Sequence, residues 1–110
     1  MKFSENHLLV DSKFKIYLRE WLPNKKVKKN LFIVHGLGEH SGRYEDLAKN
    51  LTKENIGVFC IDLIGHGKSN GKRGHIKSFD DLINTVEAGL IYVRKKFLDL
   101  PIILFGHSLG

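Results

Sequence analysis

The chain is nearly empty of the residues that staple a fold or mark it for export. Its 110 residues include one cysteine, one methionine, one tryptophan and two prolines. The lone thiol, Cys60, excludes an internal disulfide and fits a reducing compartment. No run approaches the roughly 18 apolar positions that a membrane span needs. The first residues, Met1-Lys2-Phe3-Ser4-Glu5-Asn6-His7, turn polar and acidic too soon for a secretory signal. There is no low-complexity tract and no internal repeat. A soluble, cytoplasmic protein with no integral membrane segment is expected.

What is present is globular and basic: 42% hydrophobic, 27% charged, with a formal net charge of +6. The length holds one domain at most, spanning residues 1–110. The charge raises the question of a nucleic-acid-binding module, and the placement of the cations argues against it. Lys25, Lys26, Lys28 and Lys29 fall in one turn after Pro23-Asn24, and Lys68, Lys72 and Arg73 in a second loop. No aromatic residues interleave with them as stacking platforms. They read as a solvated surface, and no nucleic acid is expected as partner. Cys60 lies inside the apolar run Gly57-Val58-Phe59-Cys60-Ile61, so its expected role is a buried structural thiol.

Apolar patterning places the elements. Residues 7–10 and 14–21 flank the turn Asp11-Ser12-Lys13, and the second alternates as a half-wet strand should. Residues 31–34 and 58–61 are continuous apolar runs, the mark of parallel strands covered on both faces. Between them Tyr44, Leu47, Ala48 and Leu51 form one helical stripe over residues 43–54. A glycine-rich loop over residues 65–74 leads to a second helix. Ser78 is its N-cap, Asp81 stands three residues on, and Phe79, Leu82, Ile83, Val86, Leu90, Val93 and Phe97 carry the stripe. Residues 101–105 make the last strand. An antiparallel strand pair followed by strand-helix-strand-helix-strand predicts an α/β domain with a parallel sheet and right-handed crossovers.

The chain then reads Gly106-His107-Ser108-Leu109-Gly110. Gly-x-Ser-x-Gly is the pattern of a nucleophile elbow, a strained strand-to-helix turn that exposes a serine hydroxyl. Gly106 and Gly110 flank the serine because side chains there would crowd the turn. Alone the pentapeptide could be a glycine-rich turn that happens to hold a hydroxyl. Its place at the end of an apolar strand makes Ser108 a candidate nucleophile. Acyl transfer also needs donors for the developing oxyanion. One is the backbone N–H after the serine, that of Leu109. The other belongs to the loop after the first buried parallel strand, His35-Gly36-Leu37-Gly38-Glu39-His40, where Leu37 is the candidate.

Residues His35-Gly36-Leu37-Gly38-Glu39-His40-Ser41-Gly42-Arg43-Tyr44 resemble the oxyanion-loop segment of monoacylglycerol lipases and bacterial lysophospholipases of the α/β-hydrolase superfamily. Asp62-Leu63-Ile64-Gly65-His66-Gly67-Lys68-Ser69, with Arg73-Gly74-His75-Ile76, looks like the next loop of that family. Gly106-His107-Ser108-Leu109-Gly110 looks like its elbow. The resemblance runs in order along the whole chain and implies the N-terminal part of an α/β-hydrolase fold. It implies Ser108 as nucleophile and Leu37 and Leu109 as oxyanion donors. His35, Gly36, Gly106 and Gly110 would support the site, and Gly65-His66-Gly67 would form a structural turn near it. It implies no metal and no organic cofactor, and as substrate a small carboxylic ester, a monoacylglycerol or a lysophospholipid. Some relatives of this type are serine aminopeptidases or general esterases.

The triad order in this superfamily is Ser, then Asp or Glu, then His. Both partners are therefore expected after Ser108, and the 110 residues are expected to be a truncated, inactive N-terminal fragment with the Ile102–Phe105 strand left as an open edge. His66, His75, His107 and Asp62 are not expected to stand in for the missing pair. The alternative is a non-catalytic piece that only binds a partner.

Overall fold

The computed structural model describes residues 1–76 and 78–107. Five strands form one sheet in the order β1-β2-β4-β3-β5. β1 (Lys2–Val10) and β2 (Phe14–Leu22) pair antiparallel, from Lys2 against Leu22 to Val10 against Phe14. The turn between them holds Asp11 and Ser12 at φ 53° and 54°, a left-handed pair that reverses the chain. β1 thus starts at Lys2 rather than at residue 7. The earlier residues are too polar to read as a strand, and it is the full-length ladder with β2 that recruits them.

β2 runs antiparallel to β4 (Ile56–Ile61), and β3 (Lys29–Val34) lies parallel between β4 and β5 (Ile102–Gly106). The first crossover goes from β3 to β4 on one side; the second returns past β3 to β5 on the other. The strand order therefore reverses at β3. In an open α/β sheet, ligands bind outside the carboxyl ends of the strands at such a point.

The helices take opposite faces. α1 (Glu45–Thr52) covers Trp21, Ile33, Val58 and Cys60 through Ala48 and Leu51, with Tyr44 just before it. α2 (Phe79–Lys96) covers Phe32, Val34, Phe59 and Ile61 through Leu82, Val86, Leu90 and Val93. Alternate residues of β3 and β4 feed the two cores, as a period of two requires. The expected helix over residues 43–54 is shorter. A 3₁₀ turn, Ser41–Tyr44, precedes α1, and His40 caps it by accepting the Gly42 N–H at 3.1 Å. α2 begins as its sequence predicts, with Ser78 Oγ accepting the Asp81 N–H at 3.1 Å. Three donors converge on the buried Glu20 carboxylate, and they fasten α2 to the hairpin: Asn6 Nδ2 at 3.2 Å, Tyr92 OH at 2.5 Å and Lys96 Nζ at 2.5 Å.

Candidate active site

Two loops meet at the carboxyl ends of the parallel strands, one after β3 beginning at His35 and one after β4 beginning at Asp62. Asp62 is buried and organises both. Its Oδ1 accepts the Ser41 N–H at 2.6 Å and its Oδ2 the Lys68 N–H at 2.8 Å. Gly67 presses against this carboxylate with φ +49°. A Cβ there would lie 2.2 Å from Asp62 Oδ2, so only glycine fits. Ser69 Oγ donates to the Asp62 carbonyl at 2.5 Å and accepts the Tyr17 N–H at 2.9 Å, tying the second loop to β2. The Arg73 guanidinium binds the Gly67 carbonyl at 2.8 Å and also the Ser69 carbonyl.

His35 and His66 are both buried. His35 Nε2 accepts the Leu63 N–H at 2.9 Å, and His35 Nδ1 lies 2.7 Å from the Gly36 carbonyl. Burial keeps the His35 imidazole below its usual range, and so neutral. His66 Nε2 accepts the Gly38 N–H at 2.9 Å.

These bonds determine how Leu37 is presented. The Gly36 carbonyl accepts from His35 Nδ1 at 2.7 Å and from the Glu39 N–H at 3.0 Å. In a trans peptide the carbonyl and the following N–H point opposite ways. With the Gly36 carbonyl turned towards His35 and Glu39, the Leu37 N–H is turned away from both. It has no acceptor among the described residues. The Leu37 side chain is exposed and borders a cleft of about 360 Å³ with Ile76, Phe79 and Leu82.

Glu39 braces the same loop. Its Oε1 accepts the Gly36 N–H at 2.7 Å, Tyr44 OH at 3.0 Å and His107 Nδ1 at 3.1 Å, while Arg43 Nε lies 3.2 Å from Oε2. The Gly36 N–H above all, then His107 and Tyr44, hold this carboxyl down at about 2. Burial, with Glu39 alongside, pushes the Tyr44 phenol up to about 12. His107 continues from β5 and donates its N–H to the Val34 carbonyl at 3.1 Å. Gly106 pairs with Val34, so β5 ends beside the strand that releases the first loop.

The structure thus brings His35, Gly36, Leu37 and Gly106 together. Ser108, Leu109 and Gly110 lie outside the described residues. Sequence reasoning gave Glu39 and Asp62 no role of their own and placed His66 only in a structural turn near the site. For Asp62 a signal existed: an acid closing a strand, then Gly67-Lys68-Ser69, is the spacing that folds a loop back onto a carboxylate. For His66 none did, because its partner Gly38 is brought to it by the meeting of two loops, and for Glu39 none did, because an acid in a loop does not announce which N–H groups will turn to it.

A sheet ordered β1-β2-β4-β3-β5, with a helix on each face and loops converging beside the end of β5, defines an α/β-hydrolase. The family model for serine aminopeptidase, S33, matches residues 25–110, and the chain belongs to that family. It is 41% identical over 95 residues to the monoglyceride lipase homolog of Monkeypox virus, which covers 86% of this chain and 34% of that protein. Against the monoglyceride lipase of Homo sapiens the identity is 39% over 95 residues, 86% of this chain and 31% of the lipase. The crystal structure of a thermostable carboxyl esterase from Bacillus coagulans superposes with a TM-score of 0.88 at 28% identity, covering 100% of this chain and 37% of the esterase. The chain spans about a third of the length of the curated lipases it matches.

Proposed function

We propose that this chain carries the nucleophile and the oxyanion loop of a serine hydrolase acting on carboxylic esters of the monoacylglycerol or lysophospholipid type. The observation that carries the reading is the Leu37 N–H. It is turned out of its own loop and lacks an acceptor among the described residues, at the strand ends where β5 delivers Gly106 and His107. In this reading Ser108 Oγ attacks the ester carbonyl and a histidine takes its proton. The Leu37 and Leu109 N–H groups bind the oxyanion. The alcohol leaves with the proton, and water then releases the acyl group from Ser108. The apolar lining from Leu37, Ile76, Phe79 and Leu82 suits an uncharged acyl or glyceryl group. The histidine and its acid follow the nucleophile in the superfamily's order, so the 110 residues by themselves are proposed to be inactive.

A chimera tests this, with residues 1–110 replacing the matching segment of the human lipase. It should hydrolyse a monoacylglycerol and a p-nitrophenyl ester, and Ser108→Ala should abolish both. Turnover that survives Ser108→Ala would refute the assignment of the nucleophile. Stoichiometric labelling of the 110-residue chain by a fluorophosphonate would refute its proposed inactivity.

A further inference from the structure

His35 and His66 exchange hydrogen bonds across the two loops in a closed pattern. His35, in the first loop, accepts from the Leu63 N–H of the second at 2.9 Å. His66, in the second, accepts from the Gly38 N–H of the first at 2.9 Å. Each Nδ1 lies against a carbonyl of its own loop, Gly36 at 2.7 Å for His35 and Ile64 at 3.0 Å for His66. A backbone N–H can only donate, so each Nε2 must be bare. A carbonyl can only accept, so each Nδ1 must carry the proton. The geometry therefore fixes both rings as neutral Nδ1–H tautomers. Their centroids are 5.2 Å apart. A proton on either Nε2 would set N–H against N–H.

We propose that His66 is a positioning residue for the oxyanion loop, and that the His35–His66 pair is a latch released by acid. While His66 is neutral, Gly38 is held from one side and Gly36 from the other by His35 and Glu39, and the Leu37 N–H between them keeps its aim. A proton on His66 Nε2 ejects the Gly38 N–H and frees the Leu37–Gly38 peptide to turn, leaving the Leu37 N–H held from the Gly36 side alone. The catalytic consequence rests on Leu37 being an oxyanion donor; the latch itself stands on the four hydrogen bonds.

The charged groups that act on the pair are the two carboxylates Asp62 and Glu39. Asp62 lies at the end of β4, and Glu39, carrying His107 and Arg43, in the first loop. The cations of the second loop face elsewhere, Lys68 Nζ towards Glu5 at 3.5 Å and Arg73 towards the Gly67 and Ser69 carbonyls. Asp62 and Glu39 favour a cation on His35, whereas burial and a charged His66 oppose it. Two adjacent cations in this space are disfavoured, so one proton suffices to open the latch.

The test is nitrogen-15 NMR of the full 110-residue chain, titrated from about pH 8 to about pH 5. At the alkaline end both rings should show a bare Nε2 and a protonated Nδ1. On acidification the Gly38 amide resonance should move in step with the His66 ring. In His66→Gln the amide oxygen still accepts from Gly38 but does not titrate, so the Gly38 resonance should become flat with pH. In His66→Ala the Gly38 amide should exchange with solvent about tenfold faster or more. A His66 ring protonated on Nε2 at the alkaline end, or a Gly38 resonance indifferent to His66, overturns the latch. Should the spectrum be unresolved, the lipase chimera provides the second measurement. The catalytic histidine has an acid limb of its own, so the wild-type limb of kcat should be steeper than one proton and His66→Gln should return it to one with KM in place, and a limb of equal slope in the two overturns the latch. A chimera that hydrolyses nothing overturns the esterase reading, while the ring tautomers and the Gly38 titration still decide the latch.

Discussion

Glu39 shows how much one side chain can settle. Its carboxyl sits at about 2, chiefly because the Gly36 N–H donates to it. An unfolded chain would titrate this group near its ordinary value of 4.5, so between about 4.5 and about 2 the folded state binds fewer protons than the unfolded. The stabilisation is therefore complete above that window and is lost as the pH falls through it. His35 acts with the same sign at higher pH. Its folded imidazole is held below the ordinary 6.5 by burial, so acidification below that value already favours unfolding. Urea midpoints of the wild type should fall in both windows, and those of Glu39→Gln should lose only the lower step. A Glu39→Gln variant with an unchanged acid profile would contradict this. Cys60 offers the opposite case, a residue whose chemistry is switched off. Burial raises its thiol well above the usual range. A thiol reagent should leave it unlabelled in the native chain, and Cys60→Ala should cost about 1 kcal/mol. Rapid native labelling would show that β4 is more open than its packing implies. His35 and Leu37 stand out in the sequence because strand end, glycines and motif lie together. Glu39 does not, since its bond to His107 joins residues brought close only by the pairing of β3 with β5.

At the scale of elements, α2 illustrates what an apolar stripe reveals and what it hides. The stripe and the Ser78 cap were readable, and the helix spans Phe79–Lys96 accordingly. Its closest approach to the sheet was not readable, because small residues make it. Gly89 faces Phe32, and a Cβ there would lie 2.4 Å from Phe32 Cζ. Alanine would favour an isolated helix by about 1 kcal/mol. Here it must displace a ring that is fully buried in the core, and overpacking of that kind costs about 1–3 kcal/mol. Gly89→Ala should therefore lower the denaturant midpoint, and a raised midpoint would mean that Phe32 moves freely. Two large residues at the start of the stripe are left out of the core. Phe79 is 72% exposed and Ile83 46%, over a cleft of about 380 Å³ bounded by α2, Val34, Leu104 and Gly106. In α1 the same reading fails at Leu47, which is exposed while Ala48 is buried. A period of 3.6 marks a face, but the sheet beneath covers only its centre line.

For the whole molecule, alternation of strands and helices identified the α/β class, while the order of strands came only from the structure. The runs over residues 31–34 and 58–61 look alike as text, yet β3 lies between two parallel neighbours and β4 between β2 and β3. That order puts β5 outermost among the described strands, with β3 as its one ladder partner there. Among the described residues no strand pairs with its outer side, and Ile103, Leu104 and Phe105 are 47%, 56% and 42% exposed. An apolar strand with a free edge is a template for another chain. The 110-residue chain should accordingly associate with itself as its concentration rises, despite a net charge of +6 that works against aggregation. Leu104 sits over the open cleft rather than inside a packed core. Leu104→Lys should therefore change stability by no more than about 0.5 kcal/mol, while a charge on the edge strand blocks pairing. Sedimentation velocity over a concentration series should show the wild type shifting to faster species and Leu104→Lys remaining at the monomer value. Identical concentration dependence in the two would mean that self-association, if it occurs, uses a surface other than β5.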